Sequence, residues 1–501
     1  MPSIAVFFFI AFPWLNPVSP GPSPAVVPWL ISLSSFAVVL VLAAKVPLAE
    51  VTAKAWLTAA LLSSLMGLLQ YFGQSVFFSP WINLTSVGEA FANLRQRNQF
   101  ATLTNIGLAA LLWWVAQRPA APEAPIGAAR TGWHRAAVVA ALVAAALLAV
   151  GNATSSSRTG LVQLGLLGGL ALLWGGWRQP ATRRVLLAAL LAYGVAAFVL
   201  PLLLGLDLRD SGIAARLHDG GPDCASRLTL WRNVLHLIAQ KPGLGWGWGG
   251  LSYAHFITLY PEPRFCDILD NAHNLPLHLA VALGVPAALV LCGGGLWLVW
   301  RARPWHETDA TRQLAWTVLA VILVHSLLEY PLWYGPFQVA FGLSVWFLWR
   351  RPPWWLHQFE QNRLLTPVLT GSVATVLIVF SAYTAWDYQR ISQLYQTQAM
   401  RLPAYRDNTL AKMKGSWLFQ DQVRFAELTT TPLTPDNALQ QRQLALSLLH
   451  FSPEPRVIEA LIESDVMLVR DTEAAFYLAR FRAAFPQRHA LWVKEQRRLR
   501  P

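Results

Sequence analysis

Residues 185–205 read VLLAALLAYGVAAFVLPLLLG, with Arg183 and Arg184 just before and Leu206-Asp207 just after. No charge interrupts the run. A helix of this length rises about 30 Å, the thickness of the hydrocarbon core of a bilayer. In lipid every peptide N–H and C=O must be satisfied within the segment, so a lone apolar run of this size folds as a helix.

The same signature recurs along the chain. Spans are read at about 4–16, 26–44, 55–73, 99–117, 136–153, 160–177, 185–205, 276–300, 313–328, 335–349 and 365–386. The chain has 501 residues, 55% hydrophobic and 13% charged, where a soluble domain carries about 25% charged residues. The expected fold class is all-α: a polytopic helical membrane protein of about eleven spans. The alternation of an outer-membrane barrel is absent from the sequence. The run at 4–16 is read as a span because no small-residue cleavage site stands out after it; a shortened first helix and a signal-like segment are the alternatives.

The net charge of +13 raises nucleic acid as a partner, and its location argues against it. With the N-terminus placed inside, the inner loops hold Lys45, Lys54, Arg118, Arg130, Arg135, Arg178, Arg183, Arg184, Arg301, Arg303, Arg312, Arg350, Arg351 and Arg363. Their acidic residues are Glu50, Glu123, Glu307, Asp309 and Glu360. This is the positive-inside pattern, so the basic balance reports topology and membrane lipids as neighbours. An odd number of spans puts the C-terminus outside.

Two domains are expected: a membrane domain, 1–386, which includes a large outer loop at 206–272, and a helical outer domain, 387–501. In the tail, residues 438–449, 456–468 and 472–485 carry apolar residues at helical spacing, punctuated by Ser452-Pro453-Glu454-Pro455 and Phe485-Pro486. Antiparallel pairs of this kind suggest a tetratricopeptide-like or other solenoid module, although no repeat of about 34 residues stands out. A helical cap and a docking surface for a partner are both open. Cys224 and Cys266 share the large loop, where an oxidising compartment permits a disulfide, while Cys292 falls in a span.

Polar residues gather at the outer ends of the spans, where ionisable groups are costly and often functional. Arg158 is the single charge of Asn152-Ala153-Thr154-Ser155-Ser156-Ser157-Arg158-Thr159-Gly160. It reads as a phosphate clamp, whose planar fork matches phosphate oxygens, or as an arginine reaching lipid headgroups. Arg227 and Trp231 are four apart on one face of an expected helix, with Arg232 off that face; a solvated helix face is the other reading. His273-Asn274 opens the helix that follows Asp270-Asn271-Ala272, with Pro276 in its first turn. An imidazole can exchange a proton near neutral pH, yet a histidine at a helix start can equally be structural. His325 lies about one turn from Glu329, and aromatic residues to Tyr334 follow. Glu329 can orient an arginine or an acceptor group, or form half of a structural ion pair. No spacing suits zinc. The glycine-rich 241–250 lacks the Gly-Lys-Ser/Thr ending of a phosphate loop and reads as a flexible or close-packed turn.

Taken in order, these pieces resemble the superfamily of O-antigen ligases, O-antigen polymerases and protein O-oligosaccharyltransferases. Its ligase motif is His, then Asn, Ser or Gln, nine residues, Gly, two residues, and Gly, Thr or Tyr. Here His273-Asn274 leads to Gly284, and Ala287 departs from the pattern in the last place. Ser157-Arg158-Thr159-Gly160 looks like the family's outer-loop arginine motif. Arg227-x-x-x-Trp231, continuing to Pro242-Gly243-Leu244-Gly245-Trp246-Gly247, looks like its large-loop motif. The segment 325–334 and the helical tail look like the branch that glycosylates pilin.

The resemblance implies a metal-independent transferase without a cofactor, in the bacterial inner membrane, with a cytoplasmic N-terminus and with its C-terminus and active site in the periplasm. A preassembled glycan would pass from undecaprenyl pyrophosphate to a Ser or Thr hydroxyl of an exported, pilin-like protein. The alternatives are ligation of O-antigen to lipid A–core and O-antigen polymerisation. His273 would handle the proton, and Arg158 with Arg227 or Arg232 would bind the pyrophosphate. Asn274, His325, Glu329 and Tyr334 would support them. A transporter is the reading from another class, and the internal repeats it calls for are not evident.

Overall fold

The computed structural model of the protein describes residues 1–117, 128–207, 212–213, 223–349 and 365–499. Arg118, Glu123, Arg350, Arg351, Glu360 and Arg363 of the expected inner loops lie outside the described residues, as does the side chain of Arg130. So do 208–211 and 214–222 of the large loop.

Among the described residues the regular structure is helical throughout. In chain order the helices are α1 (Pro2–Leu15), α2 (Val26–Leu42), α3 (Leu48–Tyr71), α4 (Arg97–Ala116), α5 (Ala128–Thr154), α6 (Arg158–Leu173) and α7 (Pro180–Leu203). The large loop contributes α8 (Arg227–Gln240), α9 (Leu251–Ile257) and α10 (Leu275–Leu283). Then come α11 (Val285–Ala302), α12 (Ala310–Ser326), α13 (Gly335–Leu348) and α14 (Leu365–Ser392). The tail holds α15 (Thr409–Met413), α16 (Gln420–Thr430), α17 (Ala438–Leu448), α18 (Pro455–Met467), α19 (Asp471–Ala484) and α20 (Pro486–Leu499).

Among the described residues, 7 helices are long and apolar enough to cross a membrane: those at Val26–Lys45, Leu48–Tyr71, Arg97–Ala116, Arg135–Thr154, Pro180–Leu203, Val285–His306 and Pro367–Tyr395. The polytopic helical class therefore stands. Every expected span is helical, but α1, α6, α12 and α13, at 14, 16, 17 and 14 residues, are shorter than the roughly 20 residues of a full crossing. α3 and α5 start 7 and 8 residues before their expected spans at 55 and 136, and one span changes in kind. The expected span at 276–300 is two helices, α10 and α11, broken at Gly284.

The described chain divides into two compact units, and the division does not follow chain order. One unit is Met1–Asp219 with Val299–Ala382; the other is Gly220–Leu298 with Tyr383–Pro501. The large loop thus groups with the tail.

In the first unit α4 is central. It packs on α3, α5, α6, α7 and α12, and 72% of its apolar window is buried. Small residues permit this closeness. A methyl at Gly107 of α4 would run into Ala60 of α3, and one at Gly67 of α3 would meet the Phe100 ring at 2.5 Å. Lipid gives no hydrophobic drive between helices, so such tight contacts carry the packing. The loop after α3 is pinned by Gln70. Its amide donates to the Asn83 and Ala92 carbonyls at 2.8 Å and accepts from the Phe91 and Ala92 N–H groups at 3.0 and 2.7 Å.

The second unit has two apolar cores. Leu230, Val234 and Leu237 of α8 pack with Leu251, Leu269, Ala272 and Val281. Phe256 of α9 packs with Leu448, Val457, Ile458, Leu461 and Phe481 of the tail. Tail helices α16 to α20 each pack on the next. Where α14 enters this unit, the buried Asp387 accepts from the Ser416 hydroxyl at 2.8 Å and from the Trp417 and Leu418 N–H groups at 3.2 Å.

Candidate functional site

His273 sits on a loop whose backbone is fixed at every turn. Its φ is +48°, a left-handed conformation uncommon for a residue with a Cβ and one that clusters at functional positions. Three side chains hold it there. Asn271, itself buried, accepts the His273 N–H at 2.9 Å. The Trp231 indole of α8 donates to the Ala272 carbonyl at 3.1 Å. The His278 ring accepts the Ala272 N–H at 3.4 Å. Asn274 then caps α10, its Oδ1 accepting the Leu277 N–H at 3.1 Å, with Pro276 in the first turn. A cap of this kind aims the exposed N–H groups and the positive end of the helix dipole toward the His273 side.

Helix α8 begins beside this arrangement. Ser226 caps it by accepting the Thr229 N–H at 3.2 Å, which makes Arg227 its first residue. Trp231, one turn on, is the residue that touches the His273 loop. Arg227 is half-buried and Arg232 is exposed. Cys224, ahead of the cap, is disulfide-bonded to Cys266, with Cα atoms 5.2 Å apart.

The glycine-rich segment is a clasp for α10. The Trp246 and Gly247 N–H groups donate to the Val281 and Ala282 carbonyls at 2.8 and 3.0 Å, and the Val285 N–H donates to the Pro242 carbonyl at 2.8 Å. Gly284 has φ +89° and ψ 160°, a region open essentially to glycine alone. A Cβ there would collide with the Gly243 carbonyl. The glycine of the His273 motif is thus required by backbone packed on backbone.

The remaining candidates lie in the first unit. Arg158 is the first residue of α6 and is exposed. Beneath it the buried Ser157 caps the helix, accepting the Gly160 N–H at 3.0 Å, and donates to Asn98 Oδ1 at 2.6 Å. Asn98 Nδ2 donates in turn to Glu329 at 3.2 Å. Thr102 Oγ1, one turn further along α4, is 2.9 Å from His325 Nδ1, and the Gln163 amide donates to Thr102 at 3.0 Å and to the Val321 carbonyl at 2.9 Å. His325 is only 1% exposed, so it serves this network and cannot meet a substrate directly. Tyr334 stacks on Tyr330 at 5.9 Å and precedes α13.

The anticipated residues therefore form two groups. His273, Asn274, Arg227 and Arg232 belong to one unit, and Arg158, His325, Glu329 and Tyr334 to the other. Sequence reasoning passed over Asn98, Thr102, Ser157 and Gln163. A signal existed: Asn98, Thr102 and Asn105 recur at i, i+4 and i+7, a polar stripe along a helix whose second half is apolar.

Fold and site together define a polytopic helical membrane protein with a large polar loop that carries a histidine. Residues 143–292 match the family described as O-antigen ligase, 90–115 the one described as protein glycosylation ligase, and 313–500 the one described as virulence factor membrane-bound polymerase, C-terminal. Over these segments the chain is similar to O-antigen ligases and protein glycosylation ligases. It is 26% identical over 357 residues to a general O-oligosaccharyltransferase of Acinetobacter baylyi (strain ATCC 33305 / BD413 / ADP1), across 68% of this chain and 56% of that protein. It is 28% identical over 118 residues to the ComP-specific O-oligosaccharyltransferase of the same strain, across 24% of this chain and 21% of that one. The matched region thus spans about half the length of the first relative and less of the second.

Proposed function

We propose that the protein transfers a preassembled oligosaccharide from undecaprenyl pyrophosphate to Ser or Thr hydroxyls of an exported, pilin-like protein at the periplasmic face of the inner membrane. The observation that carries this reading is the φ of +48° at His273, held by Asn271, Trp231 and the cap of α10. Strain of about 1–3 kcal/mol persists where surrounding structure enforces it, and here it fixes the backbone that carries the imidazole. The names of the two relatives and the glycosylation-ligase match at 90–115 favour a protein acceptor.

In the proposed reaction the acceptor hydroxyl gives its proton to His273 as its oxygen attacks the anomeric carbon of the glycan. The bond from that carbon to the pyrophosphate oxygen breaks, and undecaprenyl pyrophosphate leaves with the electron pair. Positive charge stabilises this leaving group. Arg227, at the start of the helix that touches the His273 loop, is suited to that role. Arg158 is assigned to donor binding on its motif, with Arg232 at the exposed edge of α8.

His273→Ala should lower transfer by at least about a hundredfold, the scale of a lost general base, while the protein still inserts and melts as the wild type does. Transfer near the wild-type rate would remove the histidine from the mechanism. The acceptor is tested by deletion in the native host, with mass spectrometry of pilin and gel analysis of lipopolysaccharide. Loss of protein-bound glycan with intact lipopolysaccharide is the expected result. The match at 143–292 supports a second reading, O-antigen ligation to lipid A–core, and the opposite pattern would select it.

A further inference from the structure

We infer that Asn98 is a positioning residue for donor binding, tying Glu329 to the turn that presents Arg158. The inference rests on the proposed donor role of Arg158. Asn98 is the second residue of α4 and uses both ends of its amide. Its Oδ1 accepts from Ser157 at 2.6 Å, and its Nδ2 donates to Glu329 at 3.2 Å. Its backbone carbonyl accepts from Thr102 at 2.7 Å, which anchors it to the buried network beneath.

Ser157 is fully buried and Arg158 is exposed. The backbone that carries Arg158 is therefore held through Ser157, whose hydroxyl serves both the α6 cap and Asn98. On the other side Glu329, past the end of α12, is held by the same amide. One side chain on the central helix thus fixes an arginine turn and a carboxylate on two other elements. An amide does this without adding charge. Its oxygen suits a hydroxyl donor and its nitrogen suits a carboxylate, at any pH.

The test uses the full-length protein in nanodiscs with undecaprenyl pyrophosphate as the binding probe, together with glycan transfer. Asn98→Asp keeps the acceptor for Ser157 and sets a carboxylate against Glu329. We expect the Kd for undecaprenyl pyrophosphate to rise about tenfold or more, the order found when a positioning contact is lost, with binding stoichiometry unchanged. The double variant Asn98→Asp/Glu329→Gln restores the contact with donor and acceptor exchanged. Its Kd should return to within about twofold of Glu329→Gln alone, a difference of about 0.4 kcal/mol.

An unchanged Kd in Asn98→Asp overturns the inference. So does reduced stoichiometry at unchanged Kd, the mark of a merely structural residue, or a double variant no better than the single one. If Asn98→Asp does not accumulate, Asn98→Ala, which removes both bonds and adds no charge, is read by the same criteria. A wild type that binds the probe without transferring glycan sinks the proposed function and leaves the Kd comparison to decide the role of Asn98.

Discussion

His255, in α9, shows how a single buried side chain sets a pH limit. It is 2% exposed, its Nδ1 lies 2.8 Å from the Tyr260 hydroxyl, and its Nε2 is 3.2 Å from the Phe265 carbonyl. Burial, reinforced by the positive charge of Arg264, pushes the imidazole down to about 3. In the unfolded chain it titrates near 6.5. Above that pH both states are neutral and the residue has no effect. As pH falls from 6.5 toward 3, the unfolded chain takes up a proton that the folded loop refuses, and stability drops by up to about 1.4 kcal/mol per unit. Melting should fall between pH 6.5 and 5, and His255→Asn should flatten that fall; an equal slope in the variant would acquit His255. At this scale the sequence was partly legible. His273 and Asn274 stood out because a polar pair opens an apolar helix, and Arg158 because it is alone in its turn. What holds them was not. Nothing in the spacing of Trp231, 42 positions before His273, says that its indole reaches the Ala272 carbonyl, because that bond depends on tertiary folding of the loop.

The break between α10 and α11 is an element whose hydrophobicity misleads. Residues 276–300 read as one long apolar run, since lipid and a protein core reward the same side chains. The stop is set by backbone geometry at Gly284, which is clasped by 242–247, and a hydropathy pattern does not carry that information. Gly284→Ala combines conformational strain of about 1–3 kcal/mol with a collision on the Gly243 carbonyl. It should cost at least that much and disorder the His273 loop. Loss of transfer with a lowered melting temperature is the expected pair of observations, and a variant that melts and transfers like wild type would remove the clasp from the account. The disulfide acts on the same element from its other end. Cys224 and Cys266, with a sequence separation of 42, close a loop whose constraint on the unfolded chain is worth about 4 kcal/mol in chain-entropy terms. Reductant, or Cys224→Ser with Cys266→Ser, should lower melting of the loop and weaken transfer. Equal melting with and without reductant would show that packing alone holds α8 against the His273 loop.

For the whole molecule, hydropathy disclosed the helical membrane class, and periodicity disclosed three of the tail helices, α17 to α19, to within a residue or so, but not α15, α16 or α20. The grouping of 220–298 with 383–501 was hidden, because it depends on pairs far apart in sequence. The Tyr253 ring stacks on His450 at 3.8 Å, and the Arg480 guanidinium donates to the Ile257 carbonyl at 2.7 Å. These contacts join α9 of the large loop to the tail, so damage to the tail should be felt at the loop. Asp387 is the place to apply it. The residue is fully buried, and besides its three hydrogen bonds it lies 3.5 Å from the Arg390 guanidinium. Removing one partner of a buried charged pair costs about 3–5 kcal/mol, because the donors left behind lose water and partner together. Asp387→Ala should therefore open the tail to limited proteolysis near 387–418. If the loop and tail are one cooperative body, protection should fall in α9 as well, seen as faster amide hydrogen exchange across 251–257. Cleavage of the tail with unaltered exchange in α9 would mean that the two segments fold independently, and that the tail contributes nothing to the rigidity of the loop bearing His273.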